Sequence, residues 1–477
     1  MPDDRSTSAA AVAPIHRGRL LVVLLVPLFM ALVSISVINV ALTPIGESLG
    51  ASSTQLQWVL SGYALAFAVP LVPAGRLGDA TGRRRMVIIG LLLFTLGSLL
   101  AGAAQDPTML NLARIVQGLG SGLLNPQTIG LIQRHFHGQD RAKAFAALGT
   151  AVALATAIGP VTGGLLIHAL GPEWGWRWMF LINVPLGVAS IVLSLRWIPQ
   201  DRVRTGRRLD LDPVGTVLLS VSVLLMMLPF LERGATGWVW LALPIGLVGV
   251  LVWWRWERRV KERGRAPMVD PALLRDPVFR NGSAIVAVYF LGATSIWIIL
   301  PLYLQMHLAH SALEASIIGL PSSIAAGFSS QIAGRHVLRL GRRMVIIGLA
   351  VLMVGIGVSF GMAGLVESGA MPFWGLALPL TLIGASQGMT IGPNQTLTLQ
   401  GVDPAFGGVA GGVMSLGQRL GTAVGTALIP GMLFSITEAG GDWLAALHLC
   451  GLVIIVLMAV ALLISVADRV RERRAGV

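Results

Sequence analysis

The sequence predicts an all-α membrane protein of fourteen transmembrane helices in a six, two, six arrangement. Three observations lead there: an apolar composition, basic residues confined to alternate connections, and short repeats displaced by eight helices. Of 477 residues, 55% are hydrophobic and 12% charged, with a mean hydropathy of +0.77. A water-soluble domain has no interior large enough for that balance. A helix crosses the roughly 30 Å hydrocarbon layer with about 20 residues. Fourteen apolar stretches approach that length, at 20–42, 55–74, 86–104, 108–132, 144–168, 178–197, 213–231, 238–254, 281–304, 315–333, 344–364, 373–398, 407–435 and 443–466. Residues 1–19 are too polar for a signal peptide, so the first stretch reads as a retained span.

The formal charge of +13 could point to nucleic acid. With fourteen spans, however, all of the 35 Lys and Arg residues except Arg114, Arg177, Arg233 and Arg419 fall on the termini, on even-numbered connections or, for Arg196, at the very end of the sixth stretch next to one. This is the positive-inside pattern, which places both termini in the cytoplasm and removes the need for a nucleic-acid partner. Lys143 and Lys261 are the only lysines, a usage suited to a GC-rich bacterial genome and hence to a bacterial cytoplasmic (inner) membrane. Cys450 stands alone, so no disulfide framework exists.

Internal similarity supplies the architecture. "MVIIGL" opens the third stretch (86–91) and the eleventh (344–349). "QGLGSGLLNPQT" (117–128) pairs with "QGMTIGPNQT" (387–396), and "GTAV" occurs at 149–152 and 421–424. Each match shifts by eight spans rather than six, so two extra spans lie between the halves. Because eight is even, the halves share one orientation, and a central cavity is expected where they meet. The expected units are a tail at 1–19, a bundle at 20–200, inserted helices and linkers at 201–280, a second bundle at 281–466 and a tail at 467–477.

Polar residues then nominate a site. A charge such as Arg114 within a span costs about 2.5–3.5 kcal/mol near the bilayer centre, less near its edge. Gln117, Ser121 and Asn125 share one helical stripe with it, which should face the cavity or another helix. The twelfth stretch repeats the stripe with Gln387, Thr390 and Asn394, and the thirteenth carries Gln418 and Arg419. Tyr63 is a further candidate for the cavity wall. Between the second and third stretches, Gly75 and Gly82 permit close approach and tight turns, and the Asp79 carboxylate can pair with arginine or with a helix amino terminus. In the fifth stretch, Pro160 favours a bend, while Gly159, Gly163 and Gly164 let another helix come close.

The string "GRLGDATGRRR" (75–85) resembles the cytoplasmic loop of the major facilitator superfamily. Taken with it, "INVALTP" (38–44), "RIVQGLG" (114–120) and "GPVTGG" (159–164) resemble that family's fourteen-span drug/proton antiporter branch. The resemblance covers nearly the whole chain. It implies the major facilitator fold, a multidrug efflux transporter working by alternating access, a latch role for Asp79 and Arg83, and antiport at the Gly159, Pro160, Gly163, Gly164 motif. Its expected partners are small amphipathic or hydrophobic substrates, protons and membrane lipids, with a monomer as the working unit.

One departure stands out. Relatives of this branch carry an Asp five residues before the Asn of "NVAL", where this chain has Ser34 before Asn39. No Asp or Glu is expected well inside any span, which leaves lipid or uncoupled amphipath transport as an alternative. A membrane-embedded lipid-modifying enzyme is more remote, because no nucleophile with its base, metal cluster or carboxylate group is gathered at a membrane face. No cofactor is implied.

Overall fold

The computed structural model describes residues 16–200, 212–231 and 237–474. The tail before residue 16, Arg233 and the chain end beyond 474 lie outside the described residues. Each of the fourteen apolar stretches is helical apart from short turns. The helices run in order α1 (Arg17–Ser36), α2 (Ile38–Leu49), α3 (Ser53–Ala68), α4 (Leu71–Thr81), α5 (Arg83–Gly102), α6 (Pro107–His135), α7 (Gly138–Leu181), α8 (Asn183–Trp197), α9 (Pro213–Leu231) and α10 (Ala242–Glu262). After the short α11 (Pro271–Arg275) come α12 (Pro277–Ala293), α13 (Ile296–Leu302), α14 (Ala312–Ile317), α15 (Leu320–Leu340), α16 (Arg342–Glu367), α17 (Ala377–Thr398), α18 (Gly407–Glu438) and α19 (Trp443–Arg474).

Among the described residues, nine helical segments are long and apolar enough to cross a membrane, or ten with the bent α3–α4 pair. One of them, Gly138–Trp197, holds two of the predicted stretches, divided at Gly171, whose φ of 78° breaks the helix. The helix runs on through Pro160, and the fifth stretch ends before the break at Gly171. The membrane-length helices α6, α15 and α17 fall outside the nine because polar and small residues interrupt them. All three pack centrally, against α5, α7 and each other's neighbours.

Helix starts are written locally. Asp106, Asp270, Asp276 and Asp403 each precede a proline and accept a hydrogen bond from a backbone N–H two or three residues on. Aspartate satisfies an orphan donor while proline occupies a position that needs none. At α3, Ser52 and Gln55 cap each other reciprocally.

Packing repeats in the two halves. In the first, α6 packs on α3 and α5, and α5 on α8; in the second, α17 packs on α15 and α16, and α16 on α19. Between the halves, α4 packs on α18 and α7 on α15, equivalent pairs with the halves exchanged. The inserted α9–α10 hairpin lies across one seam. Leu219, Val223 and Met227 of α9 and Trp253 of α10 share a buried cluster with Leu65, Ala68 and Val72 of the first half and with Val409 and Ala423 of α18.

The repeated "GRRMVIIGL" marks equivalent helix starts. Gly82 and Gly341 precede α5 and α16 with φ of 109° and 54°, conformations that disfavour any side chain. The next residues, Arg83 and Arg342, are both buried. Leu338, at the position of Asp79, is 38% exposed, yet Arg342 does not lack an acid. Its Nε lies 2.7 Å from Oδ2 of Asp468, and its Nη1 donates to Asn394 Oδ1 at 2.6 Å. The last helix therefore continues through the expected tail at 467–474. Asp468, which holds α19 to α16, and Glu257 in α10 are both fully buried, each just past the end of its apolar stretch. Removing one member of a buried ion pair costs about 3–5 kcal/mol. We predict that Asp468→Asn lowers the thermal unfolding midpoint in detergent by on the order of 3–5 °C. Adding Arg342→Met should recover much of the loss.

Candidate functional site

Two sets of residues converge between the halves, one at the arginine-rich end and one near mid-depth. The sequence "GRLGDAT" is helical rather than looped: α4 turns by 41° from α3 at Val69–Pro70 and ends at Gly82. Asp79 and Arg83 are thus one helical turn apart, with Arg83 Nη2 2.7 Å from Asp79 Oδ1. Asp79 also accepts hydrogen bonds from the backbone N–H groups of Gly408 (3.2 Å) and Val409 (3.0 Å), at the amino terminus of α18. A carboxylate at a helix amino terminus meets both free donors and the positive dipole end. Arg83 extends the contact by donating to the carbonyls of Gly130 and, at 2.6 Å, of Pro404. Of the neighbouring arginines, Arg84 reaches the Leu195 carbonyl and Arg85 is exposed.

Close approach makes this junction possible. A Cβ added at Gly75 would stand 2.3 Å from the Gly408 carbonyl oxygen, and one at Gly412 would stand 2.5 Å from the carbonyl of Leu71. Around it, Gln133 donates to the Leu399 and Val402 carbonyls, Gln139 to Gly334 (2.8 Å), Ser330 to Ala146 (2.8 Å) and Ser415 to Asn125 (2.9 Å). Every hydrogen bond seen to cross between the two halves lies in the arginine-rich half of the molecule.

Deeper in, Arg114 is buried and needs no acid. Its Nε donates to the Val59 carbonyl at 3.0 Å and its Nη1 to Gln117 Oε1 at 2.6 Å. Gln117 passes the chain on to Ser98 at 2.7 Å. The guanidinium lies 4.1 Å from the Tyr63 ring centroid, a cation–π contact, and Tyr63 Oη donates to the Ala31 carbonyl (2.9 Å) and sits 2.6 Å from Ser121 Oγ. From the other half, Arg419 lies 4.1 Å from the ring centroid of Phe67. Tyr63 and Phe67 are themselves neighbours, with centroids 6.2 Å apart.

The sequence-nominated residues divide accordingly. Asp79, Arg83, Gly75 and Gly82 form the junction. Tyr63, Arg114, Gln117 and Ser121 form one network, to which Arg419 is added from the second half. Asn39 is exposed one turn beyond Ile35, which packs beside Tyr63 and Phe67, while Gln387 and Gln418 are half-buried. Other residues point elsewhere. Ser34 is buried in the first half near Asn183, Asn394 is taken up by Arg342 and Gly282, and Thr390 is buried against Gly348. In the fifth-stretch motif, Gly159 and Gly163 receive α1 and α2 at Ser36 and Val37, whereas Gly164 has open space. Ser36 donates to the Ala155 carbonyl at 2.9 Å, in the turn that Pro160 loosens. Phe67 and Asp468 were not nominated; an aromatic one turn from Tyr63 and an acid just past the last apolar run are the signals that mark them.

Residues 24–426 match the family model described as Major Facilitator Superfamily. The chain is 33% identical over 439 residues to the probable actinorhodin transporter of Streptomyces coelicolor, covering 91% of this chain and 75% of that one. It is 34% identical over 415 residues to the puromycin resistance protein pur8 of Streptomyces alboniger, covering 86% and 80%. Identity to the multidrug resistance protein Stp of Mycobacterium tuberculosis is 29%, covering 85% and 74%. Among solved structures, the human organic anion transporter MFSD10 matches with a TM-score of 0.67 at 13% identity, over 95% of this chain and 100% of that one. The proton:xylose symporter XylE matches with a TM-score of 0.67 at 15% identity, over 94% of each. Likeness at those identities concerns the fold alone.

The junction at Asp79 yields a direct test. Its charge-assisted bonds are each worth about 1.5–3 kcal/mol, so their loss should open the arginine-rich end. With Cys450 replaced by Ala and a single cysteine at Val409, which is 2% exposed, maleimide labelling should be slow. Asp79→Ala should accelerate it by about tenfold or more.

Proposed function

The chain belongs to the Major Facilitator Superfamily, as a membrane transporter and not an enzyme, and on that premise we propose that it exports amphipathic or hydrophobic compounds by alternating access. The observation that carries the proposal is the one-sided closure. Hydrogen bonds join the halves throughout the arginine-rich end and none is seen to join them at the other, which is one of the two arrangements that alternating access requires. The relatives named for antibiotic export and multidrug resistance support the substrate class.

The finer reading follows the fourteen-span drug/proton antiporter branch. Two six-helix bundles, 20–200 and 281–466, flank two inserted helices within 201–280, and the protein works as a monomer in the bacterial inner membrane. Lys and Arg bias places the arginine-rich end and both termini in the cytoplasm, so the closed side faces inward and the cavity outward. Tyr63, Arg114, Gln117, Ser121, Asn39, Gln387, Gln418 and Arg419 line or support the cavity. Asp79 and Arg83 form the inner latch, and Gly159, Pro160, Gly163 and Gly164 shape the fifth span. Proton antiport is the coupling mode of this reading. A second reading, lipid or uncoupled transport, is favoured by Ser34, whose side chain is buried inside the first bundle where relatives carry an acid.

Inside-out proteoliposomes loaded with a pH dye separate the two. Adding puromycin or actinorhodin under an imposed proton gradient should give substrate uptake with proton movement in the opposite direction. Folded Arg114→Ala, checked by gel filtration, should reduce the initial rate by about tenfold or more through loss of its buried hydrogen bonds. Uptake with no pH change would select the uncoupled reading, and no uptake of either compound or of a labelled lipid under any gradient would overturn export.

A further inference from the structure

The middle of the molecule carries two arginines, Arg114 and Arg419, neither seen paired with an acid among the described residues. Arg114 is enclosed by the Val59 carbonyl, the Gln117 amide and the faces of Tyr63 and Phe180. One of its terminal nitrogens carries no hydrogen bond among the described residues. Arg419 is half-buried and has only the Phe67 face beside it, without a hydrogen bond or ion pair among the described residues. The two guanidiniums cover neighbouring rings, Tyr63 and Phe67, and neither is seen in an ion pair with a carboxylate among the described residues.

A guanidinium withdrawn from water ordinarily takes a carboxylate partner, as Arg83 and Arg342 do here. A ring face offers only part of that compensation, about 0.5–2 kcal/mol. Arg419 projects from the second half about 18 Å along α18 from its start, so it reaches mid-depth rather than an aqueous rim. Its planar fork is matched to a bidentate anion, while Tyr63 and Phe67 lie buried beneath the two guanidiniums. A cation entering the same space meets two like charges in low dielectric.

We propose that Arg419, half-buried between the halves, binds anions, that is, compounds carrying a carboxylate, phenolate or sulfonate, in preference to cations of the same size. The proposal rests on the export reading and names its substrate class. Arg419 supplies the direct contact, and Arg114 supplies a second positive field held fixed by Gln117 and Ser98.

The test uses 2-naphthoate, 2-naphthamide and 2-naphthylmethylamine, which share one ring system and differ in charge. Equilibrium binding of each radiolabelled compound is measured on the full chain in lipid nanodiscs at pH 7, in parallel with uptake into proteoliposomes. The acid should bind about tenfold or more tightly than the amine, with the amide between them. Arg419→Gln should remove that advantage while changing amide binding by less than about threefold, and Arg419→Glu should invert the order of acid and amine. Arg419→Lys, which keeps the charge but not the fork, should retain part of the preference. Tighter binding of the amine by the parent protein, equal binding of all three, or an equal loss for all three in Arg419→Gln would overturn the proposal. Uptake decides the export reading separately: binding with the expected order but no transport would leave the anion site standing and remove the exporter.

Discussion

Moving a guanidinium out of water costs several kcal/mol unless other groups replace its hydration, and the molecule meets that requirement in four different ways. Arg83 has a carboxylate plus carbonyls drawn from both halves. Arg342 has a carboxylate and an amide drawn from its own half. Arg114 has a carbonyl, an amide and two ring faces. Arg419 has one ring face. Compensation thus falls from nearly complete at the arginine-rich end to slight at mid-depth. The well-compensated positions hold helices together, and the poorly compensated ones leave electrostatic potential for something else to satisfy.

Arg83 and Arg342 descend from the same place in the repeat, yet their bonds run differently. The Asp79–Arg83 pair reaches the amino terminus of α18 and the turn at Pro404, so it exists only while the halves are together. The Arg342–Asp468 pair ties α19 to α16 and asks nothing of the first half. Glycine at Gly75, Gly408 and Gly412 brings the backbones close enough for the first pair to form. The junction therefore combines close packing with charge, and both are lost together when the halves part.

Most of the helical plan was legible because apolar length and basic-residue placement are strong signals in a membrane chain. The eight-span shift of "MVIIGL" and "GTAV" is matched by helix packing that recurs on both sides of α9–α10, and the Arg114 stripe holds the hydrogen bonds from Arg114 to Gln117 and from Gln117 to Ser98. Direction was harder to read. Spans that are apolar all round carry little contrast between lipid-facing and protein-facing sides, so Ser34 could be assigned to a cavity although it faces Asn183. Partners distant in sequence were also hidden: nothing local links Arg342 to Asp468, or Arg419 to Phe67. The helical state of "GRLGDAT" escaped notice because its glycines and charges read as a loop.

The α9–α10 hairpin adds something that duplication alone could not. Two equivalent halves would present two equivalent seams, one at α4–α18 and one at α7–α15. The hairpin pads the first with Leu219, Val223, Met227 and Trp253 and leaves the second as direct helix contact. The molecule acquires a front and a back. An oily solute that approached sideways from the bilayer would meet a double wall on one flank and a single one on the other, so the two seams are unequal around the long axis.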